Sequence, residues 1–209
     1  MRNTGMERAS LSHKQRDFDY LSTEAAIEVR PAHSREIPAI ADMATQMVPG
    51  VQIEEQALRR HFDFDPDSIL VFARHGKLLG GMAFLFLDGA GHDALISGEF
   101  SPLRPDFGFF APRDEQVAAT YIWAIGATGR GIAGLGKAAA HLRQPRFVNA
   151  DCFAQPSTAA GRDLMITTGF AQIPSAQPDL WRYQRPWNRR PVAARPSRSS
   201  ARSFENARY

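Results

Sequence analysis

Apolar residues recur along this chain in two rhythms, and each predicts its own kind of element. In residues 35–48, Ile37, Ile40, Ala41, Ala44 and Met47 fall at helical spacing, with Ser34 placed to cap the first turn and Pro49-Gly50 placed to end the last. Residues 53–62 predict a second, shorter helix, and residues 26–30 a strand ahead of both. Residues 68–74 and 77–87 are apolar runs on either side of His75-Gly76, the pattern of a β-hairpin whose glycine takes a positive φ. Residues 117–125 form another strand-like run that passes through a glycine cluster into a helix at 132–143. Strand, helix and strand follow at 147–154, 157–168 and 180–184, with Gly169 as the C-cap of that helix.

The stretch between the hairpin and the strand at 117–125 breaks both rhythms. Residues 88–116 are rich in Gly and Pro, with a helical turn expected at 93–100 and an aromatic group of Phe107, Phe109 and Phe110. Two readings fit: a lid facing substrate, or a hydrophobic flap covering the sheet. The ends lack apolar periodicity, so residues 1–25 are expected to be a mobile arm and 185–209 a disordered tail around a single domain at 26–184.

Charge separates these regions. The formal net charge is +3, but residues 185–209 alone carry seven Arg against one Glu, and residues 1–25 are balanced, which leaves −3 for residues 26–184. A mildly acidic domain does not suit a nucleic-acid surface, whereas the Arg-rich tail suits an acidic partner, nucleic acid or anionic lipid. Arg outnumbers Lys by 22 to 3, a bias that fits a GC-rich genome as well as it fits phosphate recognition. The lone Cys152 excludes an internal disulfide and a multi-cysteine zinc site, and no metal site is expected. The first residues have no apolar core of the signal-peptide kind, and no apolar run reaches the roughly 20 residues of a membrane span. A cytoplasmic location is the expectation.

The candidate chemistry lies in TYIWAIGATGRGIAGLGKAAAHL, residues 120–142. Glycines let a backbone turn sharply beside a ligand, and the first N–H groups of the following helix favour an anion. Three signatures overlap there. Gly129, Gly131 and Gly134 spell the dinucleotide fingerprint G-x-G-x-x-G, with Asp151 some 20 residues on, where a ribose-binding acid would stand. Gly131, Gly136 and Lys137 spell a nucleotide P-loop, but Ala138 stands where the magnesium-binding hydroxyl is needed. Gly131, Gly134 and Gly136, preceded by Arg130, resemble the R/Q-x-x-G-x-G/A signature of the GCN5-related N-acetyltransferases, the GNAT superfamily.

The order of elements decides among them. Strand, two helices, hairpin, long loop, strand, glycine loop and helix, then strand, helix and Gly169-Phe170, is similar to the GNAT order over residues 26–184. The fold this resemblance implies is mixed α/β (α+β), a mostly antiparallel central sheet flanked by helices, with the long loop before the central strand. The cofactor it implies is acetyl-CoA or another acyl-CoA, used as co-substrate by a CoA-dependent N-acyltransferase. Its pyrophosphate would lie on Arg130, Gly131, Ala133, Gly134, Gly136 and Lys137, and its pantetheine arm along Trp123, Ile125, Gly126 and Ala127, with Gln155 beyond the next strand.

Proton transfer needs further groups. The family's frequent acid is a tyrosine about four residues before G-F, and Met165 stands there. Tyr121 is the substitute, with Glu99 and Glu115 as candidate bases and Asp114 beside them. Cys152, His92 and His141 read more simply as packing or surface residues. Trp123, with Tyr121 and Ile125 at alternate positions, reads as one face of the central strand. The expected partners are a small-molecule or protein amine acceptor and a second copy in a homodimer. A catalytically silent binding or regulatory module is the alternative, and a dinucleotide-binding protein the lower one.

Overall fold

The computed structural model describes residues 26–47 and 54–186. The expected N-terminal arm and all of the Arg-rich tail beyond Pro186 lie outside them.

The strands are β1 (Glu28–Pro31), β2 (Ile69–Arg74), β3 (Lys77–Leu87), β4 (Ala119–Ala127), β5 (Asp151–Ala154), β6 (Ala171–Gln172) and β7 (Trp181–Tyr183). They form one sheet in the order β1-β2-β3-β4-β5-β7-β6. Among the described residues only the β4–β5 pair is parallel. The helices are α1 (Ile37–Met47), α2 (Glu55–Phe64), α3 (Gly89–Ser97), α4 (Gly134–His141) and α5 (Ala159–Thr167). This is the mixed, mostly antiparallel sheet expected from the sequence, and it does not provide the parallel doubly wound sheet that a dinucleotide domain requires.

Alternation along the strands sorts the core into two faces. Ile69 and Val71 of β2 meet α1 and α2, while Leu85 and Leu87 of β3 meet Ala94 and Leu95 of α3. On the opposite face Leu70, Phe72, Met82 and Phe84 meet Ala138 and Leu142 beside α4, and Ala154 meets Met165 of α5. The hairpin turns through His75 at φ 50° and Gly76 at φ 73°, so a side-chain-bearing residue shares the left-handed conformation expected of the glycine alone.

The long loop is a flap. Its first part is the full helix α3, capped by the Asp88 carboxylate accepting from the Gly91 N–H at 2.7 Å. Its aromatic group returns to the sheet, where the Ala111 N–H donates to Phe86 O at 2.9 Å, and Phe100 and Phe110 are buried against α3.

Arg185, expected to begin the tail, belongs to the core. Its N–H donates to Asp151, and its guanidinium donates to the carbonyls of Ala150 and Leu142, each at 3.0 Å. Asp151 therefore serves this anchor, which ties the end of β7 to the start of β5. Among the described residues no helix is long and apolar enough to cross a membrane.

Candidate functional site

The site begins with a gap in the sheet. β5 pairs with β4 only over residues 119–122, so beyond Ile122 the strand keeps β3 on one edge and, among the described residues, has no strand on the other. A cavity of about 340 Å³ lies along that open edge. Ile122, Trp123, Ala124 and Ile125 form its β4 wall, Leu135 and Ala139 its α4 wall, and Leu164 and Met165 its α5 wall. Extended backbone facing an apolar slot is what an amide-containing arm needs in order to bind as an added strand.

A bulge shapes this edge. The β3–β4 register shifts between Ala83↔Ala124 and Phe84↔Ile122, which leaves Trp123 as the extra residue. Its consequence corrects the sequence reading of one alternating face. Tyr121, Trp123 and Ala124 all lie on the side of α1, α2 and α3, and Ile125 joins Ile122 on the side of α4 and α5.

The glycine loop follows at the end of β4 as a 3-10 turn, Gly129–Ala133, that leads into α4. Its glycines have different duties. A Cβ on Gly131 would stand 2.8 Å from Leu79 O, and one on Gly134 would stand 2.6 Å from the Phe72 ring. These two seat the loop on β3 and β2. A Cβ on Gly136 would meet nothing within 4 Å. The Gly131 N–H already donates to Thr128 O at 2.9 Å, and the Gly134 N–H donates to Gly131 O. Arg130 and Ala133 are exposed beside the loop, while the Lys137 ammonium is turned to Ile27 O, tying α4 to the lead-in of β1. Of the residues assigned to the pyrophosphate, Lys137 is thus engaged elsewhere.

Tyr121 and Gln155 are brought together. The tyrosine hydroxyl donates to Gln155 Oε1 at 2.8 Å, and Gln155 Nε2 donates to Pro178 O, so the pair fastens β4 and the end of β5 to the loop before β7. Burial pushes the phenol above its ordinary range, which makes it a poor proton donor. Glu99 is exposed in the turn after α3, and Asp114 and Glu115 are exposed ahead of β4, at the end opposite the glycine loop. The three catalytic candidates thus stand on different elements, one buried and two exposed. Burial pushes the Cys152 thiol up to about 11, so the side chain lining the cavity there is an un-ionised thiol. His92 pairs with exposed Asp93, and His141 packs on Phe147.

One residue went unnoticed in the sequence. His61 is, with Leu58, the buried position of α2. Its ring lies 4.8 Å from that of Trp123, 5.2 Å from Phe107 and 5.6 Å from Phe110. Among the described residues its Nδ1 has no hydrogen-bond partner, and burial, helped by nearby Arg60, lowers its pKa to about 4. The last turn of α2 is pinned by Ser68 Oγ donating to His61 O and by the 2.6 Å ion pair of Asp65 with Arg146. The available signal was a histidine three residues after Leu58 on a helix whose other faces are charged.

A seven-stranded mixed sheet, opened on one side of its bulged central strand and followed there by a glycine loop and helix, settles the architecture. The chain has the GNAT fold. GphF, a GNAT-like decarboxylase solved in complex with isobutyryl-CoA, aligns with TM-score 0.50 at 15% identity, over 69% of this chain and 72% of its own. The PaiA N-acetyltransferase of Thermoplasma acidophilum, solved with coenzyme A, aligns with TM-score 0.50 at 10% identity, over 77% and 99%. At such identities the GNAT likeness is one of fold. No family model matches the sequence, and no curated protein matches it.

Proposed function

We propose that the protein binds an acyl-CoA in the gap beside β4 and transfers the acyl group to an amine. The observation that carries this is the edge of β4 that no described strand pairs beyond Ile122, where Trp123, Ala124 and Ile125 line the 340 Å³ cavity and the glycine loop follows in the chain. The pantetheine amides pair with that edge, the pyrophosphate lies against the exposed loop near Arg130, and the acyl end reaches the Trp123 bulge. GphF and PaiA, with the same fold, were solved with isobutyryl-CoA and coenzyme A, which supports the ligand class. An acetyl or other acyl group as cargo, a small-molecule or protein amine as acceptor, a homodimer and a cytoplasmic location belong to the same reading.

A second reading, binding without turnover, is favoured by Met165, which lines the cavity where a proton donor would stand, and by Tyr121, whose hydroxyl is committed to Gln155. Calorimetric titration with acetyl-CoA tests both, since no heat at millimolar ligand would end them. Release of CoA thiol with an amine panel would then separate enzyme from module.

A further inference from the structure

We propose that His61 is the proton acceptor of this transfer, meeting the attacking nucleophile at the Trp123 bulge from the side of the sheet away from the CoA cavity. The inference rests on the acyl-CoA reading above. With an acyl-CoA arm filling the slot between α4 and α5, the nucleophile has to approach from the other face of β4. That face presents Trp123 and, 4.8 Å away, the His61 ring. His61 is 4% exposed and its Nδ1 bonds to nothing among the described residues, an unmet hydrogen bond that an incoming N–H would satisfy.

The surroundings fit an apolar amine. Phe64, 38% exposed, packs on Phe107 at 5.4 Å and brings the aromatic wall from the surface to His61. Phe107, Phe110 and Trp123 present rings to the imidazole. Among charged neighbours, exposed Arg60 precedes it on the same helix and disfavours its protonated form, Asp65 is held by Arg146, and Asp106 caps its own turn through the Gly108 N–H. Burial keeps the imidazole neutral, hence able to accept a proton, across the neutral range. Charge building on the acyl oxygen raises its proton affinity as the reaction proceeds.

The step balances. The amine nitrogen attacks the thioester carbon, the N–C bond forms, and the nitrogen's proton passes to the imidazole. Collapse of the tetrahedral intermediate breaks C–S, and the sulfur leaves with the bonding pair. The imidazolium then gives its proton to the thiolate, releasing CoA thiol and restoring neutral His61.

The test compares the full chain with His61→Phe, which keeps a ring in the aromatic stack, and with His61→Ala assayed with and without added imidazole. Acetyl-CoA affinity is measured calorimetrically. Thiol release is measured with phenethylamine, tryptamine, hexylamine and water as acceptors. The expected result in His61→Phe is unchanged acetyl-CoA affinity, a melting temperature no lower than that of the wild type and thiol release lower by about 100-fold or more, with partial rescue of His61→Ala by imidazole. Thiol release retained in His61→Phe overturns the proposal, because a ring that only packs is replaced by phenylalanine without loss. Wild-type binding with no thiol release for any acceptor also overturns it while leaving the binding reading intact. Absence of acetyl-CoA binding by the wild type defeats the underlying reading instead.

Discussion

The two sides of β4 are built on opposite principles. Toward α4 and α5 the strand borders a cavity whose β4, α4 and α5 walls are mainly apolar side chains. Of the polar side chains that line it, Gln155 accepts from Tyr121 and Arg185 donates to two backbone carbonyls. Toward α1, α2 and α3 the aromatic packing is dense, yet it encloses an imidazole nitrogen without a partner. A mainly apolar slot suits binding, whereas a buried polar group left unpaired is the kind of cost that function retains. The bulge at Trp123 joins the two, since that residue both lines the cavity and touches His61.

Filling the space is expected to have the largest effect. Ala139 is exposed on the α4 wall of the cavity, so Ala139→Trp should weaken acetyl-CoA binding by roughly 1000-fold, about 4 kcal/mol, with little change in melting temperature. Calorimetry and a thermal scan measure both quantities, and unchanged affinity would mean that ligand binds elsewhere.

Acid probes the packed side. His61 has a folded pKa of about 4 against an ordinary 6.5, so between those values the unfolded chain binds the extra proton. Stability therefore falls as pH drops from 6.5 toward 4, by about 3 kcal/mol in all, and levels off below. Glu36, held by Arg30 near a pKa of about 2, adds a loss that starts below its ordinary 4.5. Denaturant titrations across pH should show both, and His61→Phe should remove only the first.

The glycine loop gives the smaller effects. Gly131→Ala forces a Cβ toward Leu79 O at 2.8 Å and should cost about 1–3 kcal/mol of stability while loosening acetyl-CoA binding. Gly136→Ala, in open space within α4, should instead stabilise by up to about 1 kcal/mol and leave binding unchanged. If Gly136→Ala damaged binding as much as Gly131→Ala, direct backbone approach of the ligand at Gly136 would replace the packing explanation.

Much of the fold was legible because its signals are local. The α1 stripe, the hairpin at His75-Gly76 and the glycine turn into α4 each depend on neighbours within a few residues, and their order favoured the mixed sheet over a doubly wound one. Short or irregular elements were less legible. Residues 147–150 read as strand because Phe147 and Val148 are apolar, but Phe147 is buried from a turn, and β5 starts only at Asp151. Of the candidate site, the strand running into a glycine loop was legible as local structure. Tyr121, Glu99 and Glu115 were grouped by residue type, and they stand on different elements, the tyrosine buried in β4 and the two glutamates on exposed turns.

The sequence by itself determined the periodicities, the glycines that permit the loop and the order of elements, because these follow from backbone preference and from which residues avoid water. Tertiary structure alone decided that β5 stops pairing at Ile122, that a bulge turns Ile125 away from Trp123, and that His61 meets Trp123 across 62 positions of chain. Register, splay and long-range ring contacts depend on how whole layers settle against each other, and no local pattern encodes that.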